Sequence, residues 1–283
     1  MDAAIRITED AMSSILNNVS ALGASRQLGI TGKGLNSTIE RLTTGRRINR
    51  ASDDAAGLGI SNKLGADIRI ANQGKRNAND AVSYLQVADG VLDEVTNLLT
   101  RASELAQQAK TGTISDSNRV NIDSEFQNII KTIGDIGTNT KFNGAAVFTT
   151  AAVSISVGGY TNVSVTVGDL GAGASKALGL TAGTDDLKTS GGAGSAATLI
   201  DAAITSVSAT RASLGANMQQ LTAVSNSLGI ASENFTAAQS QIMDANIADE
   251  VVNLTKFQIL NQSGTSALSK ANQSSQQILA LLQ

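Results

Sequence analysis

Between residues 197 and 242 an apolar side chain returns at every seventh position: Ile200, Val207, Leu214, Leu221, Leu228, Phe235 and Ile242. A strict seven-residue apolar repeat keeps one seam of an α-helix turned toward a partner helix. The companion seam is mixed, with Ile204 and Met218 apolar but Arg211, Ser225 and Ser232 polar. The segment therefore predicts a long helix that needs partners without being a plain two-stranded zipper. At the rise of an α-helix it would run roughly 65–70 Å.

A second heptad run covers residues 58–110, through Leu64, Ala71, Ala78, Leu85, Leu92, Leu99 and Ala106. Its companion positions Ala81, Ala88, Val95, Ala102 and Ala109 are apolar as well, which makes it the better two-position seam. Its many alanines allow close helix approach. The Thr111-Gly112-Thr113 stretch ends it, and Ile122, Phe126, Ile129, Ile133 and Ile136 mark a third helix closing near Gly137. Leu85, Leu92 and Leu99 facing Leu214, Leu221, Leu228 and Phe235 are the expected seam of this middle bundle.

Both ends of the chain are amphipathic. Residues 11–45 carry Ile15, Val19, Leu35, Ile39 and Leu42 at helical spacing, with Gly29, Gly32 and Gly34 as a weak point. The last helix is predicted to follow a break at Asp244-Ala245-Asn246, with Asn246 as its cap. Its stripe is Val252, Ile259, Ala267, Ala271, Ile278 and Leu282. The chain has no proline, so long helices meet no obligatory breaker. Between the first two helices, TGRRINRASDDAAG sets Arg46, Arg47 and Arg50 close to Asp53 and Asp54, and reads as an irregular connector whose charges pair.

The period changes to two after Phe142-Asn143-Gly144. Val153, Ile155 and Val157, then Val163, Val165 and Val167, alternate with small or polar residues across Gly158-Gly159, the pattern of a β-hairpin. Residues 168–195 are rich in Gly, Ala, Ser and Thr and read as surface loop, with Asp185 and Asp186 solvated there. The expected fold is mainly α: a long antiparallel coiled-coil-like helical bundle with a small β-hairpin insert.

Catalytic chemistry is thin. With no His and no Cys, the common nucleophile–base pairs and most zinc sites are unavailable. Adjacent acids such as Asp53-Asp54 and Asp93-Glu94 diverge on a helix. The glycine-rich stretches lack the Lys-Ser/Thr of a phosphate loop. The Arg46, Arg47 and Arg50 cluster has no interleaved aromatic, and the net charge is only −3, so no nucleic-acid partner is implied. The N-terminus has no signal-peptide pattern and no apolar run approaches a membrane span. No enzyme, cofactor or metal is expected.

Long motifs resemble bacterial flagellin. In the N-terminal half these are GLNSTIERLTTGRRINRASDDAAGLGISNKL and QGKRNANDAVSYLQVADGVLDEV. In the C-terminal half they are ASLGANMQQLTAVSNSL, QSQIMDANIADEVVNLTKFQILNQSGTSALSKANQ and the final ILALLQ. Together they cover roughly residues 30–145 and 200–283. The resemblance implies a secreted, extracellular subunit that self-assembles into the flagellar filament used for motility, in a short form without large outer domains. It implies three regions: an inner terminal-helix domain of 1–46 with 247–283, an outer rod of 47–150 with 196–246, and a hairpin-and-loop insert of 151–195. It also implies as partners other copies of the chain, an export chaperone, hook-associated and cap proteins, and the flagellin-sensing Toll-like receptor, whose site maps to Arg101, Leu105 and Glu125. Two other readings stand beside it: a hook–filament junction protein of the same export system, and a sensor or enzyme built on a coiled coil.

Overall fold

A computed structural model describes residues 18–159, 162–168, 170, 178–181, 183 and 185–281, the side chains of 278–281 excepted. Its elements are α1 (Val19–Thr44), α2 (Ala55–Lys110), α3 (Asp116–Asn139), β1 (Lys141–Phe142), β2 (Ala145–Ala146), β3 (Val153–Ile155), β4 (Val163–Val165), α4 (Ser190–Met243) and α5 (Ile247–Leu281). Tertiary contacts divide the chain into two compact units, residues 66–235 and the remainder.

The 66–235 unit is built on the two heptad seams. On α2, Ala71, Ala78, Leu85, Leu92, Leu99 and Ala106 are buried, as are Ala81, Ala88, Val95, Ala102 and Ala109. On α4, Ile200, Val207, Leu214, Leu221 and Leu228 are buried against them, and Phe235 is half-buried. Each fully buried leucine contributes roughly 2 kcal/mol of apolar transfer free energy. Phe126, Ile129, Ile130 and Ile133 of α3 complete the core. α3 starts at Ser115, whose hydroxyl accepts from the Asn118 amide, and Arg119 ties it to the end of α2 by donating to the Ala109 and Thr111 carbonyls.

The polar members of the α4 seam are matched by polar groups on α2. Arg211 donates to Asp89 at 2.8 Å and to Asp93 at 2.8 Å. Ser225 donates to Asn79 Oδ1 and Ser232 to Asn72 Oδ1. As the partner number falls along α2 it rises along α4, so the two helices run antiparallel.

β1 and β2 pair antiparallel across the Asn143-Gly144 turn, and β3 pairs with β4. Tyr84 of α2 donates to the Val147 carbonyl and meets the Phe142 ring edge-on, and its burial raises the phenol above its usual range. The reading of 168–195 as solvated loop is corrected for its described residues. Leu170, Leu178, Leu180 and Leu187 are buried in the core, and α4 already begins at Ser190, with Ala193 and Ala196 buried. Burial of these four leucines anchors the described parts of the segment in the core. Asp185 is likewise engaged: its carboxylate accepts from the Thr181 amide and its carbonyl from Gln127.

In the other unit α1 begins at the Asn18 cap, whose Oδ1 accepts from the Ala21 amide, and ends at Gly45, left-handed at φ +69°. The helix runs unbroken through Gly29, Gly32 and Gly34. Gly34 has a packing reason: a Cβ there would lie 2.7 Å from the Phe257 ring of α5. The connector after α1 is ordered by its own polar groups. The Asp53 carboxylate accepts from the Asn49 and Arg50 amides, and Asp54 caps α2 by accepting from the Gly57 amide. The break between α4 and α5 is joined to the connector by two backbone bonds, Arg47 N–H to Met243 O and Ala245 N–H to Gly45 O. The pairing of connector charges is partly as expected. Arg47 lies 3.9 Å from Asp54, but Arg50 pairs with Glu40 at 3.1 Å.

The two amide donors hold the Asp53 carboxyl below the usual carboxylate range. A carboxyl depressed in the folded state stabilises above its unfolded pKa, and that contribution disappears as pH falls through the folded value. The connector should therefore loosen below about pH 4. Hydrogen exchange at the Asn49 and Arg50 amides should lose protection as the pH is lowered through that range, and Asp53→Asn should make the protection insensitive to acid.

Candidate subunit-packing surface

α1 and α5 run antiparallel, and their facing side chains recur at steps of three and four. On α1 the seam is Ala21, Ala24, Leu28, Thr31, Leu35, Thr38 and Leu42, all buried or half-buried. On α5 it is Glu250, Leu254, Phe257, Asn261, Gly264, Leu268, Ala271 and Ser275. Polar pins hold both ends. Asn18 Nδ2 donates to the Ala271 carbonyl at 3.0 Å and to Ser275 at 2.7 Å, while Arg41 Nη1 meets Glu250 Oε1 at 3.2 Å.

The stripes expected from the sequence divide between this seam and the opposite faces. Leu35, Leu42 and Ala271 turn inward. Val19 is 72% exposed, Val252 67% and Ile259 59%, and Ile39 and Ala267 are exposed too. Leu22, Ile30, Ile247, Val251 and Leu260 add to this outward apolar surface. Ile15, Leu282 and the side chain of Ile278 lie outside the described residues. The α1–α5 pair thus closes its own seam with leucines, Phe257 and small or polar residues, and leaves its described valines and isoleucines facing away. Large apolar side chains left exposed in this number make these faces the candidate interaction surface.

The Arg41–Glu250 pin was not anticipated from the sequence. Glu250 is buried, and among the described residues Arg41 Nε and Glu250 Oε2 have no hydrogen-bond partner, so the pair rests on one contact. Arg41 keeps a third of its side chain exposed, which lowers the cost of losing its partner. Glu250→Ala should cost about 1–2 kcal/mol, visible as faster hydrogen exchange in α1 with that of α3 unchanged.

Arg101 of α2 meets Glu125 of α3 through Nη2 at 2.8 Å and Nε at 3.0 Å, and Glu104 through Nη1 at 3.0 Å. The Glu125 hydrogen bonds, ahead of Glu104, hold the guanidinium above its ordinary pKa. Leu105, one helical turn on from Arg101, is buried in the core. Arg101 and Glu125 are brought together at the surface, while Leu105 is not exposed there. Among the described residues no three His, Cys, Asp or Glu side chains are placed to hold a metal ion, and no helix is long and apolar enough to cross a membrane.

Residues 15–152 match the family described as the bacterial flagellin N-terminal helical region, and residues 197–282 match the bacterial flagellin C-terminal helical region. The chain belongs to the bacterial flagellin family. It is 37% identical to the flagellar filament 30.7 kDa core protein of Treponema maltophilum, over 95% of this chain and 99% of that protein. It is likewise 37% identical to a flagellin of Halalkalibacterium halodurans, over the same shares of each chain. Among solved structures, Bacillus cereus flagellin aligns with a TM-score of 0.47 at 28% identity, covering 54% of this chain and 88% of that one. Flagellins are structural proteins, and the two matched regions contain α1 and α5, the helices that carry the outward apolar surface.

Proposed function

We propose that this flagellin is a structural subunit of an extracellular flagellar filament, polymerising through the outward faces of α1 and α5. The observation that carries this reading is the side-chain distribution of the α1–α5 pair, whose bulky apolar residues Val19, Ile39, Val252 and Ile259 are left exposed by its own packing. Repetition of one chain in a helical array buries such a surface at every subunit. Residues 1–46 with 247–283 then form the inner layer, 47–150 with 196–246 the outer rod, and 151–195 the solvent-facing insert. Ile15, Ile278 and Leu282 belong to the inner contacts, and the Leu85, Leu92, Leu99, Leu214, Leu221, Leu228 and Phe235 seam serves the rod.

Family membership supports a role in motility and secretion through the flagellar export system, with an export chaperone and hook-associated and cap proteins as partners. The Arg101–Glu125 pair is a surface the flagellin-sensing Toll-like receptor would contact. The chain matches nearly the whole length of a relative named as a flagellar filament core protein, which favours this reading over a hook–filament junction protein. Electron microscopy of purified full-length chain tests it. Long regular tubes should form without any added protein, and a chain that stays monomeric in every polymerising condition would refute the reading.

A further inference from the structure

Asn143-Gly144 is the sole Asn-Gly dipeptide in the sequence, and it forms the whole two-residue loop between β1 and β2. Asn143 has φ +50° and Gly144 φ +83°, and Asn143 is the sole non-glycine residue with positive φ among the described residues. This is the turn that Asn-Gly serves best in a hairpin. Lys141 faces Ala146 and Phe142 faces Ala145 in the ladder, so the Gly144 N–H lies outside it, with no hydrogen-bond partner among the described residues. Both residues are exposed, and nothing lies within 4 Å of where a Cβ on Gly144 would sit. The backbone nitrogen is therefore unhindered on its own residue and unshielded by any neighbour.

We infer that Asn143 is a self-modification site, where the Gly144 nitrogen converts the asparagine amide to a carboxylate without any enzyme. The nitrogen gives up its proton and bonds to Asn143 Cγ. The Cγ–Nδ2 bond breaks, Nδ2 takes a proton, and ammonia leaves a five-membered succinimide. Water then opens the ring in one of two ways. Attack at Cγ breaks the new N–Cγ bond and returns ordinary aspartate. Attack at the backbone carbonyl carbon breaks the original peptide bond and leaves isoaspartate, with the chain running through Cβ. One ammonia is lost, one water is gained, and nothing is oxidised or reduced.

The attack requires Asn143 to rotate out of its turn conformation. β1 and β2 contribute only two residues each, and so short a hairpin opens readily by local fluctuation. Asparagines within helices lack this route, because the following amide is held in the i to i−4 ladder. The products matter locally. Isoaspartate adds a methylene to the backbone of a two-residue loop and forces the Phe142–Ala145 register to shift. Either product places a second carboxylate beside Asp80 in the groove lined by Tyr84, Phe142 and Ala145. Because the change is one-way, its extent records the age of the chain.

The test incubates the folded full-length protein at neutral and mildly alkaline pH and follows tryptic peptides by mass spectrometry, with isoaspartate scored by an isoaspartyl methyltransferase. An unhindered glycine nitrogen predicts conversion at Asn143 roughly tenfold faster than at Asn36 or Asn226, which precede serines within α1 and α4. Asn143→Asp, which keeps a residue tolerant of positive φ, should remove the mass change in this peptide and leave the melting curve intact. Conversion at Asn143 no faster than at Asn36 and Asn226, or appearing only in denaturant, overturns the inference.

Discussion

Leu221→Asp should lower the melting temperature of the 66–235 unit by roughly 10–20 °C, from a loss of about 5 kcal/mol. Leu221 has no exposed surface and sits at the centre of the α4 seam. The substitution removes most of a fully buried leucine and puts a carboxylate where the surroundings are apolar. Aspartate at that site either stays charged and unpaired or takes up a proton, and both are unfavourable. Total stabilities of domains lie near 5–15 kcal/mol, so a loss of this size approaches global unfolding. Gln220→Asp is the matched control, one residue away on the exposed face of the same helix, and should shift the melt by no more than about 0.5 kcal/mol. Calorimetry of the two variants decides the seam assignment, since equal melting temperatures would place Leu221 outside the core.

Deleting residues 255–283 should abolish filament formation while leaving the 66–235 unit with a cooperative melt. The truncation removes Phe257, which packs against Gly34, and the Ala271 and Ser275 partners of Asn18. Of the pins joining α1 to α5, the Arg41–Glu250 contact would remain. One such contact does not offset the conformational entropy of ordering a 26-residue helix that has lost its partner. The circular dichroism signal should accordingly fall by more than the deleted residues account for, because α1 melts with them. The outward Ile259 and Leu260 would be lost as well, and with them part of the surface that neighbouring copies cover. Sedimentation of polymer, paired with a thermal melt of the soluble fraction, separates the two effects. Regular tubes from the truncated chain would exclude α5 from the subunit interface.

How far the sequence discloses this structure depends on the kind of order involved. Positions such as Leu92, Leu214 and Leu228 repeat at fixed intervals, and periodicity alone assigns them to a buried seam. Leu170, Leu178, Leu180 and Leu187 follow no period, and their glycine- and serine-rich setting hides that the core holds them. The first two turns of α4, Ser-Gly-Gly-Ala-Gly-Ser-Ala, have poor helix propensity and are helical because Ala193 and Ala196 pack inside. Arg211 looks like a defect in its own helix. Its meaning appears only when Asp89 and Asp93 face it, and that register is a property of two helices. The packing surface is half legible for the same reason. Spacing places Val19, Leu35, Ile39 and Leu42 on an amphipathic helix, but which of them meet α5 and which face outward is decided by the pairing angle.

The polar rungs between α2 and α4, from Asn72–Ser232 through Asn79–Ser225 to the Arg211 carboxylate pair, have a consequence for inheritance. A one-residue insertion in either helix turns everything beyond it by about 100° at 3.6 residues per turn. It would swing leucines into solvent and leave Arg211 facing alanine. Length can change within these helices only in whole heptads, matched in both strands of the pair. The stretch between β2 and α4 carries no such register constraint, while the two long helices can change length only together and by whole heptads.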